Sequence, residues 1–368
     1  MDIHSEKFNG LDLLRALAII MVLLYHYRMF GHPEWVDDYA RFGWTGVDLF
    51  FVLSGFLISK QLFQQIKLAN EIRLKDFYIK RFFRIIPPYL IVLAVYFTFP
   101  FFREREALPP LWKFITFTQN IGLDVRDFGT FSQVWSLCIE EQFYLLFPLI
   151  LLLFLKFKKL KYLTFFLCFL LLFTIAARII SYQIFIIPSI NTDNFWREWY
   201  MKIYYPTYTR LDGLVVGIAI AYCYEYSIRF KDFINSNGNL LLLSGIVIVA
   251  FSFWICNDQT SLLASITGFT FVSLGFGLVV MSAVSKSSVL YYSKSFWLTQ
   301  LAALSYSIYL SHKATIHIIQ NLMERLGIEE ESHITLVICL LVCILVGIFF
   351  KYVIEKPSAK IKNYLLKN

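Results

Sequence analysis

Ten apolar stretches, each long enough to cross a bilayer as a helix, dominate this sequence. They lie near residues 12–30, 44–63, 86–102, 133–155, 160–186, 206–226, 239–256, 262–284, 296–321 and 334–354. About 20 apolar residues span the hydrocarbon core as a helix. Lipid offers the backbone no hydrogen-bond partners, so each stretch must close its own as a helix. The expected fold class is all-α: a polytopic membrane protein with about ten transmembrane helices. Composition agrees, with 58% hydrophobic and 16% charged residues and a mean hydropathy of +0.61. A soluble domain needs far more polar surface. The third stretch begins at Pro87-Pro88, and a helix's first turn tolerates proline.

The net charge of +8 reads as topology, not as affinity for nucleic acid. With the N-terminus cytoplasmic, the inner connecting segments, from Lys7 onward, hold 21 Lys and Arg residues and the outer ones hold 9. Lys and Arg gather in cytoplasmic loops, so both termini are expected inside. The first apolar run lacks a small-x-small cleavage site and reads as a retained helix. The six cysteines form no metal-ligand pattern, so no metal is expected. Residues 1–356 read as one transmembrane domain and 357–368 as a short basic cytoplasmic tail. No internal repeat is visible, which removes support for a transporter built on inverted repeats. The outer loops 103–132 and 187–205 carry Trp, Tyr and charges. They read either as a lid or acceptor surface, or as plain connectors.

Ionisable residues inside the spans point to function, because burying them in lipid is expensive. In the first span Arg15 and His26 are eleven residues apart. At about 100° per residue they return to within roughly 20° of one face, separated by about 16 Å of rise. Asp48 lies one turn into the second span, at a depth like that of His26, where a carboxylate within reach fixes an imidazole tautomer. Glu140 and Glu141 are about two turns into the fourth, and at about 100° apart at least one should face the bundle interior. Arg210 and Asp212 in the sixth face different neighbours, so each needs its own partner. Tyr205, beside them, belongs either to an aromatic interfacial belt or to a sugar-binding surface. His312 lies past the middle of the ninth. Before the third span, LKDFYIKRFFR (74–84) is basic and amphipathic. Its Lys80, Arg81 and Arg84 suit either lipid phosphates or a phosphorylated cosubstrate. Depth therefore sorts the groups: Arg15, Lys80, Arg81 and Arg84 near the inner face, and His26, Asp48, Glu140, Glu141, Asp212 and His312 in the outer half.

Together these motifs resemble the acyltransferase 3 family of integral membrane acyltransferases. The matching pieces are Arg15 with His26, GVDLFFVLSGFLIS (46–59), RFFR (81–84), VWSLCIEEQFY (134–144), TRLDGLVVG (209–217), SYSIYLSH (305–312) and IEKP (354–357). The resemblance implies transfer of an acyl group, most often acetyl from cytosolic acetyl-CoA, onto a hydroxyl of a cell-surface polysaccharide such as an O-antigen, or of its lipid-linked precursor. It implies a place in the cell inner (cytoplasmic) membrane. His26 resembles the family's catalytic base or acyl relay, oriented by Asp48 or by the acidic pair Glu140 and Glu141. Arg15, Arg81 and Arg84, with Lys80 beside them, resemble donor-handling groups. Tyr205, Arg210, Asp212 and His312 are the expected acceptor-binding set. Some relatives carry an added extracytoplasmic hydrolase-like domain; without one, the membrane domain is expected to meet its acceptor directly. Succinyl-CoA as donor, or a small secondary metabolite as acceptor, stays open. The alternative from another class is a glycan exporter or flippase without chemistry.

Overall fold

The structure is a computed structural model and describes residues 8–367. Lys7, counted above among the inner charges, lies outside them, as does Asn368 at the end of the tail. The main helices are α1 (Asn9–Tyr27), α2 (Thr45–Ala69), α3 (Leu74–Thr98), α4 (Trp135–Lys156), α5 (Leu163–Ser181), α6 (Asp212–Tyr226), α7 (Gly238–Ile255), α8 (Phe269–Ala283), α9 (Phe296–Arg325), α10 (His333–Phe350) and α11 (Lys356–Leu365). The chain is an all-α, polytopic membrane protein. Among the described residues, 8 helical stretches are long and apolar enough to cross a membrane. The other two expected spans are also helical. α6 has 15 residues, and α9 has 30 but buries His312 and Lys313 along its length.

Consecutive long helices alternate in direction, so α1, α3, α5, α7 and α9 begin at one end of the bundle. That end also carries LKDFYIKRFFR and α11 and is called the basic end below. α2 is the innermost helix, buried along most of its length. Its closeness to α6 depends on glycine. A Cβ on Gly217 would meet the Val52 carbonyl and would come within 2.6 Å of the Phe56 nitrogen. On Gly55 it would meet the backbone of Leu214. Helices associate in lipid through such close backbone approach, because lipid supplies no hydrophobic drive between them. Backbone atoms cannot move aside as a side chain can. Gly217→Ala is expected to cost about 1–3 kcal/mol of overpacking, read as a lower unfolding temperature in detergent.

Two expectations are corrected. Helix α3 starts at Leu74, so Pro87 and Pro88 sit inside it and not in its first turn. The basic stretch and the third apolar stretch form one continuous helix. The prolines leave the carbonyls of Phe83 and Arg84 without their helical donors, and Tyr306 Oη donates to the neighbouring Ile85 carbonyl at 2.8 Å. The second concerns the described part of the basic tail, residues 357–367: α11 packs against α3 and walls a cavity. A π-helical segment, Lys351–Glu355, joins it to α10.

Loops 103–132 and 187–205 are fastened to the bundle. Arg197 Nε donates to Asp124 at 2.7 Å, tying one loop to the other. Glu104 accepts from the backbone of Phe131 at 2.9 Å and pairs with Lys313 of α9 at 3.4 Å.

Candidate functional site

A cavity of about 1320 Å3 enters the bundle from the basic end. This exceeds the roughly 300–1,000 Å3 of a site for a drug-sized ligand. Its lining brings together all four residues expected to handle a donor: Arg15 from α1, and Lys80, Arg81 and Arg84 from α3. Among the described residues no carboxylate forms an ion pair with any of these four side chains. Arg81 instead lies over the Tyr144 ring at 5.5 Å.

Glu140 also lines this cavity. Its Oε2 accepts from Tyr144 Oη at 2.6 Å and from Ser54 Oγ at 3.0 Å. Adjacent helix positions diverge by about 100°, and Glu141 accordingly leaves the cavity wall. Its Oε1 is buried without a hydrogen-bond partner. The acidic pair is therefore split: one carboxylate faces the cationic chamber and the other faces away. The expected grouping of Glu140 with His26 gives way to one with Arg15 and Arg81.

The deep end of the cavity is formed by Ser136 and Tyr309, whose hydroxyls lie 2.6 Å apart. One turn along α9, His312 packs with its ring centroid 5.9 Å from that of Tyr309. His312 Nε2 in turn meets His26 Nδ1 at 2.9 Å. The tautomers follow from this contact. His312 Nδ1 faces two carbonyl oxygens, of Tyr309 at 2.8 Å and Ile308 at 3.1 Å. Carbonyls only accept, so this nitrogen carries the proton and Nε2 bears the lone pair. His26 Nδ1 must then be the donor, which leaves the lone pair of neutral His26 on Nε2.

The partner of His26 is thus His312 and not Asp48. Equal depth did not mean contact, because Asp48 is held by Arg210, whose NH2 donates to both carboxylate oxygens at 2.9 and 3.1 Å. Asp212 is likewise held by Arg178, at 2.6 and 3.0 Å. Arg210 and Asp212 do each have their own partner, but both are engaged in buried ion pairs. Tyr205 is buried too, stacked on Tyr200 with centroids 5.4 Å apart. Of the expected acceptor set, only His312 stands at the imidazole. Sequence reasoning missed Ser54, Tyr144, Tyr309 and Arg178. Tyr309 had a usable signal, since it precedes His312 by three positions on one helix face.

A second cavity, of about 680 Å3, opens at the opposite end. Its walls include Tyr25, Trp44, Trp196, Tyr200, Asp38 and Asn257. Tyr25 packs edge-on to His26 with centroids 5.7 Å apart. The two imidazoles line neither cavity themselves but are packed between Tyr309 of the cationic chamber and Tyr25 of an aromatic one that also carries Arg28, Arg41, Asp37, Asp38 and Asp258.

The chain is 30% identical over 352 residues to the peptidoglycan O-acetyltransferase OatA of Listeria monocytogenes, covering 87% of this chain and 51% of that protein. It is 29% identical over 329 residues to the O-acetyltransferase OatA of Staphylococcus aureus, covering 84% of this chain and 51% of that one. The chain thus spans about half the length of the curated relatives it matches. No solved structure gives a significant match. A family model described as an acyltransferase domain matches residues 8–353, and the chain belongs to the acyltransferase 3 family.

Proposed function

We propose that this protein is an O-acyltransferase of the bacterial inner membrane, with ten spans and both termini cytoplasmic. It moves an acyl group, acetyl in the favoured reading, from cytosolic acyl-CoA to a hydroxyl of a surface glycan or its lipid-linked precursor. The observation that carries this reading is the cationic cavity, which runs from the basic end to Tyr309, beside the His312–His26 pair. An exporter path without chemistry has no need of four cations clustered at one mouth, none of them ion-paired to a carboxylate among the described residues. Phosphate groups are recognised through such charge-assisted contacts. The O-acetyltransferase relatives support the acyl donor, and the peptidoglycan in one of their names supports a glycan acceptor.

In this mechanism the nucleotide end of the donor stays at Arg81, Arg84 and Arg15 while the thioester reaches the deep end. The acceptor enters from the aromatic cavity. His26 Nε2 takes the proton of the acceptor hydroxyl as its oxygen bonds to the thioester carbonyl carbon. The C–S bond then breaks, and the leaving thiolate receives that proton from the imidazolium. His312 holds His26 in the required tautomer and accepts from Nδ1–H throughout. Glu140, fixed by Tyr144 and Ser54, shapes the passage without meeting His26.

The test is CoA binding by the purified protein, with transfer of labelled acetyl followed in proteoliposomes. Paired Arg81→Ala and Arg84→Ala changes are expected to weaken CoA binding at least tenfold. An exporter would ignore CoA in both forms, and that result would end this reading.

A further inference from the structure

We infer that helix α11 is part of the donor site and that Lys362 grips a phosphate of the donor's nucleotide end. This rests on the reading above, in which the donor is an acyl-CoA.

The pattern of α11 carries the inference. Ser358, Lys362 and Leu366 recur at four-residue spacing and so share one helix face. That face turns inward: Ser358 is buried, and Lys362 and Leu366 are half-buried. Ile361 and Tyr364 point the other way, 54% and 69% exposed, while Leu366 shares the inward face with Lys362. An amphipathic helix docked on an apolar core has its apolar stripe inward and its lysines outward. Here one lysine occupies the inward stripe. It is not drawn there by a carboxylate, because among the described residues Lys362 has no ion pair.

Instead it faces like charge. Lys362, Lys367 and Asn363 line the cationic cavity, and Lys362 is close enough to Lys80 and Arg84 for both to repel it. Close to α11 the lining gathers Lys80, Arg81, Arg84, Lys362 and Lys367, with Arg15 deeper, while Glu71 of the same lining pairs with Arg73 at 3.4 Å. Crowded cations are unfavourable until an anion joins them. A ligand with several phosphates would lie between α3 and α11 and cancel that repulsion.

The helix is also held in register with the site. Ser307 Oγ of α9 donates to Glu355, and Lys351 Nζ donates to Gln300 at 2.9 Å. Both contacts lie in the π segment that leads into α11. The same α9 carries Tyr309 and His312, so one rigid element connects the phosphate grip to the transfer centre.

An anionic lipid headgroup offers the same phosphate chemistry, so the experiment must separate the two sources. The full chain is placed in phosphatidylcholine nanodiscs, with and without phosphatidylglycerol. Affinity is measured for CoA, dephospho-CoA and pantetheine. Lys362→Glu is compared with Lys360→Glu, the same charge change on an exposed position of the same helix. Lys362→Glu is expected to weaken CoA at least tenfold in both lipids, to leave pantetheine unchanged and to exceed any effect of Lys360→Glu. Equal CoA affinity in the two variants would overturn the role of Lys362 alone. A loss seen only as reduced retention of phosphatidylglycerol would assign the lysine to lipid and also overturn it. Failure of the unaltered protein to bind CoA would remove the acyl-CoA reading and this inference with it.

Discussion

Acyl transfer by a His26→Ala protein is expected to fall by roughly 10²–10⁴-fold, the usual loss when a positioned general base is removed. CoA affinity should stay within twofold, because the cations of the donor cavity are on other side chains, Arg15 of the same helix among them. The tautomer argument makes the test sharper. His26 needs an acceptor opposite its Nδ1–H, and His312 Nε2 supplies it at 2.9 Å. His312→Ala removes that acceptor and frees the ring to adopt the wrong tautomer, so roughly a tenfold to hundredfold loss in kcat is expected. His312→Gln offers an amide oxygen in the same region and should recover part of the loss. Rates are read from labelled acetyl-CoA, with the folded fraction checked by size exclusion. Full transfer by correctly folded His26→Ala would exclude His26 as the base.

How the pair was assembled shows what a sequence can convey here. Depth was readable for part of the set, because position along a span translates into height, but it misplaced Glu140, which was sorted with His26 and lines the cavity of Arg15 and Arg81. Arg15 with RFFR at one end, and His26 with His312 towards the other, follow from that arithmetic. Azimuth between helices was not readable. Asp48 and His26 have similar depth, yet Asp48 turns to Arg210, 162 positions away in the chain. The demand that Arg210 and Asp212 each find a partner was visible from their two-residue spacing. The identity of the partners was not, since Arg178 reaches Asp212 only once α5 packs on α6.

Local rules misled at the ends of helices. Pro87-Pro88 suggested a start, but an amphipathic segment before them is already helical, and α3 runs through both prolines. The terminal basic stretch looked like a solvated tail because its charges are dense. Its four-residue inward pattern was present in the sequence, but nothing there showed that the surface it meets is a cationic chamber. Ser54 carries no signal of its own within GVDLFFVLSGFLIS, yet its hydroxyl donates to Glu140 at 3.0 Å.

The second large effect concerns Arg210. Its guanidinium is fully buried, pairs with Asp48, and has its carbon 3.9 Å from the Phe269 ring centroid and 4.7 Å from that of Tyr204. Its Nε and NH1 meet no acceptor, so aromatic faces take the place of hydrogen bonds there. Arg210→Ala would leave Asp48 buried without its countercharge, and breaking such a pair costs about 3–5 kcal/mol. The expected result is a large drop in unfolding temperature in detergent. Asp48→Asn should restore part of it in the double variant, because a neutral amide is far cheaper to bury than an orphaned carboxylate. That recovery separates two roles for Arg210. If it only braces α2 against α6, the double variant regains acyl transfer in step with its folded fraction. If Arg210 binds the acceptor, stability returns while transfer stays low and the acceptor KM rises.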